Sequence, residues 1–368
     1  MDQSDGETVQ ETGREAISRS ALRATPRMLS LDVLRGFAIS LMFLVGGNPF
    51  SQLQHSGWTG ATLADLVYPL FLFSVGVSMR LSTQKKDLKG QPKSEQAHAF
   101  LFRAARLLIV GLLLYSASYR VLKLTLGTLQ CIALASLGAY PLVRATNVSR
   151  VGGIVVILTL FVLLSLFAQP DVVTTQAWLE HTTFSEKLDI LVLGKPRGVE
   201  GVLSTCVATS IVLFGLIAAD LLLDTSASVG AGWKILSCAV ACLAAATLCV
   251  GIGIPLSTPL FTPSFVFLSS SFAFAVLFAL LPLDRRPRAA LLFRPLVILG
   301  ANPIAGYVFV KLFQTFVLNH TSLPVEGEPL IGDWLRRSVG PLSVPLLKLA
   351  VGWLFCFALW RRQIFVRL

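Results

Sequence analysis

Residues 27–81 read RMLSLDVLRGFAISLMFLVGGNPFSQLQHSGWTGATLADLVYPLFLFSVGVSMRL. Two apolar runs, Met28–Gly46 and Thr62–Leu81, flank a short polar hinge that holds Asn48, Gln52, Gln54, His55, Ser56 and Trp58. Each run approaches the length of about 20 residues that a helix needs to cross a bilayer. The stretch therefore reads as two membrane helices with a histidine at the mouth between them. Asp32 opens the first run and Asp65 stands near the start of the second. Ionisable groups this close to lipid are costly and tend to mark function, so the chemistry is expected to start at His55.

The rest of the chain agrees with a membrane setting. Of 368 residues, 54% are hydrophobic and only 14% charged, with a mean hydropathy of +0.72. Soluble domains carry about 25% charged residues. Apolar runs recur at roughly 29–46, 62–81, 102–119, 124–143, 151–168, 201–223, 233–252, 264–282, 294–318 and 340–360. The expected fold class is an all-α integral membrane protein, with about ten transmembrane helices in one bundle. The ninth run contains Asn302-Pro303 and Gly306, which predicts a kink or a late start.

The net charge is +11, but the basic residues sit between apolar runs, where they set topology. Nucleic acid is therefore not an expected partner. Arginines of the N-terminal tail, the cluster from Arg80 to Arg106, and Arg285, Arg286, Arg288, Arg361, Arg362 and Arg367 fall on one side. The opposite side is much poorer in Lys and Arg, so the positive-inside rule places both termini in the cytosol and His55 outside. Residues 1–26 are polar and mixed in charge, which predicts a disordered cytosolic tail before a single membrane domain at 27–368. The expected location is an inner or plasma membrane. All six cysteines fall inside apolar runs without metal spacing and read as small hydrophobes.

Candidate site residues follow from chemistry and position. A neutral imidazole at His55 can take a proton or carry an acyl group; an interfacial histidine bonding a helix end is the plainer alternative. Asp65 either orients His55 or favours the positive helix N-terminus. Asp32 and Arg35 share a helix face, as an ion pair or with Arg35 free to contact phosphate. Arg103 and Arg106 begin the third run, as topology anchors or as a grip on a donor's phosphates. Asn302 puts an amide beside a proline at membrane depth, as a site residue or as partner to a kink. Lys311 and Lys348 snorkel or face the bundle interior. The loop Gln169–Glu200 mixes Trp178, Glu180, His181, Glu186 and Asp189, which suits a lid, a sugar-binding rim or a solvated connector. No Walker loop, GxGxxG unit, GxSxG elbow or zinc-ligand spacing stands in a meaningful context, so no metal is expected.

LSLDVLRGFAI, then HSGWTGATLADLVYPLFLFSVGVSM, resembles the catalytic core of heparan-α-glucosaminide N-acetyltransferase and its bacterial relatives. Weaker echoes follow in the same order: FRAARLLIVGLLL, GTLQCIAL, GVEGVLST, PLFTPSFVFLSSSFAFAVL and GANPIAGYVFVKLF. Together they cover roughly residues 27–318. The resemblance implies an enzyme that moves an acetyl group across a membrane. Acetyl-CoA would be the co-substrate on the cytosolic side, where topology offers Arg35, Arg103 and Arg106 as its contacts. An amino sugar or polysaccharide would accept on the outer side, at Asn48, Trp58 and Asn302. The catalytic histidine maps onto His55, with Asp65 beside it, either as an acetyl-histidine or as a general base. A homodimer is compatible with this. The chain departs from the family at Gly46, Thr59, Cys131 and Phe261, where Asn, Asn, Arg and Trp are expected. A transporter or lipid flippase, or a membrane scaffold without catalysis, are the rival readings.

Overall fold

The computed structural model describes residues 28–45, 49–119, 126–167, 178–195, 198–225, 231–285, 291–319 and 331–366. Asn48 and the N-terminal tail lie outside them. The described residues form thirteen α-helices and no strand, as expected where lipid offers backbone groups no partners. They are α1 (Leu29–Leu44), α2 (Leu63–Leu88), α3 (Lys93–Tyr119), α4 (Thr128–Ala139), α5 (Asn147–Phe167), α6 (Phe184–Leu193), α7 (Val202–Thr225), α8 (Ala231–Gly251), α9 (Pro263–Arg285), α10 (Arg294–Ala301), α11 (Pro303–Phe313), α12 (Ile331–Ser338) and α13 (Ser343–Arg361).

Among the described residues, seven helices are long and apolar enough to cross a membrane: α2, α3, α5, α7, α8, α9 and α13. The chain is a helical, multi-pass membrane protein. The pair α10–α11 makes an eighth span only if it counts as one broken helix, because it bends by 84°. The break falls at Asn302-Pro303, where proline removes a ladder donor. The expected ten spans exceed this number for a physical reason. The first apolar run folds as only 16 helical residues and the fourth as 12. At about 1.5 Å per residue, both fall short of a hydrocarbon core about 30 Å thick. Yet both are deeply buried, from Ser30 to Leu34 in α1 and from Leu129 to Ala133 in α4. Over these stretches their apolar side chains are buried against other helices.

Two helix crossings are closed by glycine. Where α2 meets α7, a Cβ on Gly215 would stand 2.2 Å from the Phe73 carbonyl oxygen, and one on Gly76 2.2 Å from that of Val212. Where α1 meets α10, a Cβ on Gly36 would lie 1.9 Å from the Leu296 oxygen. Small residues let backbones approach in this way when lipid supplies no hydrophobic drive between helices. The outward faces of α5 and α8 remain apolar and exposed, with Val151, Val155, Leu160 and Phe167 on one and Val240, Leu243 and Leu248 on the other.

The end of the bundle that holds the start of α1 is tied by charge. Ser30 donates its N–H and its hydroxyl to Asp284 at 3.0 and 2.5 Å, joining α1 to α9. Arg150 is fully buried. Its guanidinium donates to the carbonyls of Leu142, Val143 and Leu216 and to Asn147 and Asp220. Arg80 donates to the same Asp220 at 2.6 Å. At the opposite end, Lys348 donates to the Val45 carbonyl at 3.2 Å and so caps the negative C-terminus of α1.

Candidate active site

The start of α2 builds the site. Thr62 is its N-cap, and Thr62 with Asp65 forms a capping box that satisfies orphan donors of the first turn. The box fixes the Asp65 carboxylate, and its contacts reach beyond the cap. One oxygen, Oδ2, accepts the N–H of Thr62 at 2.9 Å and that of Ser56 at 3.1 Å. The other, Oδ1, lies 2.8 Å from His55 Nδ1. The Thr62 hydroxyl donates to the Gln54 carbonyl at 2.7 Å. The hinge is therefore folded back onto the helix that follows it, with His55 at the turn.

This geometry sets the imidazole. A carboxylate only accepts, so the Nδ1 facing Asp65 carries the proton, and in the neutral imidazole the lone pair is on Nε2. The Asp65 side chain is 1% exposed, whereas that of His55 is 66% exposed. A buried anion thus orients a largely exposed imidazole. Both readings of Asp65 are realised at once: it sits at the positive end of α2 and it holds His55.

The hinge is also pinned to the turn before α9. Gly60, at φ 101°, donates its N–H to the Leu256 carbonyl at 2.8 Å. The hydroxyls of Ser56 and Thr258 both donate to the Gly60 carbonyl at 3.2 Å. Phe261 is fully buried and packs edge-on against Tyr68, with centroids 5.9 Å apart.

A cap lies over this end. Residues 178–195 contain α6, whose N-cap Thr183 accepts the N–H of Glu186; the T-x-x-E pattern at 183–186 is the signal that marks this helix in the sequence. Trp58 Nε1 donates to the Trp178 carbonyl at 2.7 Å and ties hinge to cap. Asp189 accepts the N–H of Val202 at 2.8 Å and ties cap to α7. Between hinge and cap lies a cavity of about 460 Å³, lined by Ser56, Trp58, Glu180, His181, Glu186 and Leu260 among others. It falls within the range of about 300–1,000 Å³ typical of ligand pockets. The Gln169–Glu200 loop is, over its described part, a wall of this cavity.

The other expected site residues are dispersed. Trp58 lines the cavity. Asn302 is fully buried in the half of the bundle away from His55. Its amide donates to the Ile364 carbonyl at 3.0 Å and accepts the Val366 N–H at 2.8 Å, which holds the C-terminal segment against the α10–α11 break. Arg35 bonds Ser78 on α2 and stands 3.5 Å from Asp32. Arg106 is exposed, its guanidinium 5.0 Å from the ring centroid of Phe102 on its own helix; Arg103 is half-buried. Cys131 is buried and accepts the Thr205 hydroxyl at 3.2 Å.

A family model described as heparan-alpha-glucosaminide N-acetyltransferase, catalytic, matches residues 27–192. Those residues carry the hinge, His55, Asp65 and most of the cap, but not α10–α11. The human (Homo sapiens) heparan-alpha-glucosaminide N-acetyltransferase is 34% identical over 96 residues, which is 26% of this chain and 14% of that protein. The mouse (Mus musculus) protein of the same name is 34% identical over 95 residues, 25% of this chain and 14% of the relative. The match thus spans about one seventh of each curated relative. Over residues 27–192, which fold the hinge onto α2 and build most of the cap, this chain is similar to the heparan-alpha-glucosaminide N-acetyltransferase catalytic family.

Proposed function

We propose that the protein is a transmembrane acyltransferase. It takes an acetyl group from acetyl-CoA on the cytosolic side and delivers it to an amino sugar or other glycan on the outer side. The observation that carries this reading is the His55–Asp65 pair. A carboxylate that fixes the Nδ1–H tautomer leaves Nε2 as base or nucleophile, the role such pairs serve in acyl transfer. Coenzyme A is too large and too charged to cross lipid, so only the acyl group has to reach the outer mouth. Arg35, Arg103 and Arg106 lie on the cytosolic half of this scheme as contacts for the donor's phosphates. Asn48 and Trp58 belong to the acceptor side. The family match over the segment that holds His55 supports the same chemistry. The termini face the cytosol and the membrane is the plasma or inner membrane in this reading.

The test is acetyl transfer by the full chain in detergent, with radiolabelled acetyl-CoA and glucosamine. The expected outcome is transfer by the wild type and none above background by His55→Ala, with both proteins equally folded by thermal unfolding. Transfer by His55→Ala at the wild-type rate would sink the assignment.

A further inference from the structure

One histidine–carboxylate pair lines the cavity, and a second adjoins its lining in the chain. His55, held by Asp65, directly precedes Ser56, Gly57 and Trp58 of the lining on the hinge side; His181 and Glu186 line the cap side. His181 Nδ1 lies 3.7 Å from Glu186 Oε1, too far for a hydrogen bond. The His181 backbone N–H donates to Glu186 Oε2 at 2.9 Å. This contact holds His181 at φ 68°, a left-handed conformation uncommon for a residue with a side chain and often found at functional sites. The cap's other acids are partly committed to its fold. Glu186 accepts the Thr183 hydroxyl at 2.8 Å, and Asp189 accepts the Val202 N–H. The imidazole of His181 is 80% exposed and no helix needs it.

The chemistry at His55 creates a need for such a group. Its Nδ1 is committed to Asp65, so Nε2 is its only lone pair. Once Nε2 carries an acyl group it cannot also take a proton. A sugar amine arrives as an ammonium ion, and an ammonium has no lone pair to attack with. Resting on the acyltransferase reading above, we propose that His181 is the base that deprotonates the acceptor ammonium while His55 carries the acyl group. His55 Nε2 first attacks the thioester carbonyl, and the thiolate of coenzyme A leaves. The ammonium then gives one proton to His181. Its freed lone pair attacks the acyl carbon, the new C–N bond forms, and the bond from that carbon to His55 Nε2 breaks. The electron pair returns to His55, whose Nε2 takes the second amine proton, leaving a neutral amide. The carboxylates of Glu180 and Glu186 in the same lining draw the cation toward His181.

The experiment uses the full chain in detergent, radiolabelled acetyl-CoA and two acceptors, glucosamine and hydroxylamine. Hydroxylamine is already neutral at neutral pH and needs no base. Rates are taken over the His55→Ala background for the wild type and for His181→Gln. The expected result is a loss of about 100-fold with glucosamine for His181→Gln, the scale of general-base catalysis. The loss with hydroxylamine is at least about tenfold smaller, and label persists on the protein when glucosamine is the acceptor. Equal losses with both amines, or none with either, overturn the role of His181 while leaving the acyltransferase reading intact. A wild type that transfers to neither amine overturns both.

Discussion

At the scale of single residues, the site depends on how one carboxylate divides its two oxygens. Asp65 gives Oδ2 to the N–H groups of Ser56 and Thr62 and Oδ1 to His55. An asparagine in its place can aim only one acceptor oxygen, and its NH₂ donates. Turned toward His55, it would favour the wrong tautomer. Asp65→Asn is therefore expected to lower acetyl transfer by about 100-fold or more while the chain still folds, as read by initial rates beside thermal unfolding. The pairing of His55 with Asp65 was legible in the sequence as two groups ten positions apart around a hinge. That Asp65 would be buried and His55 open was not, because exposure is set by the turn at Gly60 and the loop before α9. Cys131 shows the reverse limit. Its departure from the family pattern is visible in the sequence, but only packing shows it buried and accepting from the Thr205 hydroxyl.

At the scale of elements, helix identity followed hydropathy while helix role did not. α1 and α4 are as apolar as the longer helices, yet they are short and largely buried. The kink expected in the ninth run appears as an 84° break, since the proline after Asn302 has no N–H to continue the ladder. The crossing of α2 with α7 is the most exacting contact. Gly215→Ala would force a methyl to 2.2 Å from a backbone oxygen, which no side-chain rotation relieves. The variant is expected to lose about 1–3 kcal/mol, the usual cost of overpacking, seen as a lowered thermal midpoint in detergent. Wild-type stability for this variant would show that the two helices can part without cost. The cap illustrates what a loop reading misses. The T-x-x-E pattern at 183–186 announces a helix start, but its position over the hinge comes from the long-range bond between Trp58 and Trp178.

At the scale of the whole molecule, the two ends are built differently. One end gathers Arg80, Arg144, Arg150, Asp87, Asp220 and Asp284 into paired contacts. The other holds the hinge, the cavity and the cap. Arg150 is a fully buried strut joining α5 to α7. Removing it takes one partner from Asp220 and withdraws its donors from the carbonyls of Leu142, Val143 and Leu216. Arg150→Ala is expected to destabilise the protein by about 3–5 kcal/mol, measured by denaturant unfolding in mixed micelles. The orientation assigned by the positive-inside rule predicts that cysteine at Ser51 reacts with an impermeant maleimide in intact cells. Cysteine at Lys89, in a background without the native cysteines, is expected to react only after permeabilisation. The reverse pattern would invert the bundle and put the hinge on the cytosolic side.

Composition and periodicity alone determined that this chain is helical and membrane-bound, because burying apolar runs of this length requires internal backbone pairing. They also located the hinge and its histidine, since polar groups between two such runs stand out by contrast. Which apolar runs face lipid, which charges are struts, and that His181 shares a cavity with the residues after His55 were decided by the tertiary structure. These properties depend on contacts between residues distant in the chain, such as Trp58 with Trp178, Ser30 with Asp284 and Gly60 with Leu256. Local hydropathy carries no information about such pairings, because an apolar side chain is equally well served by lipid and by another helix.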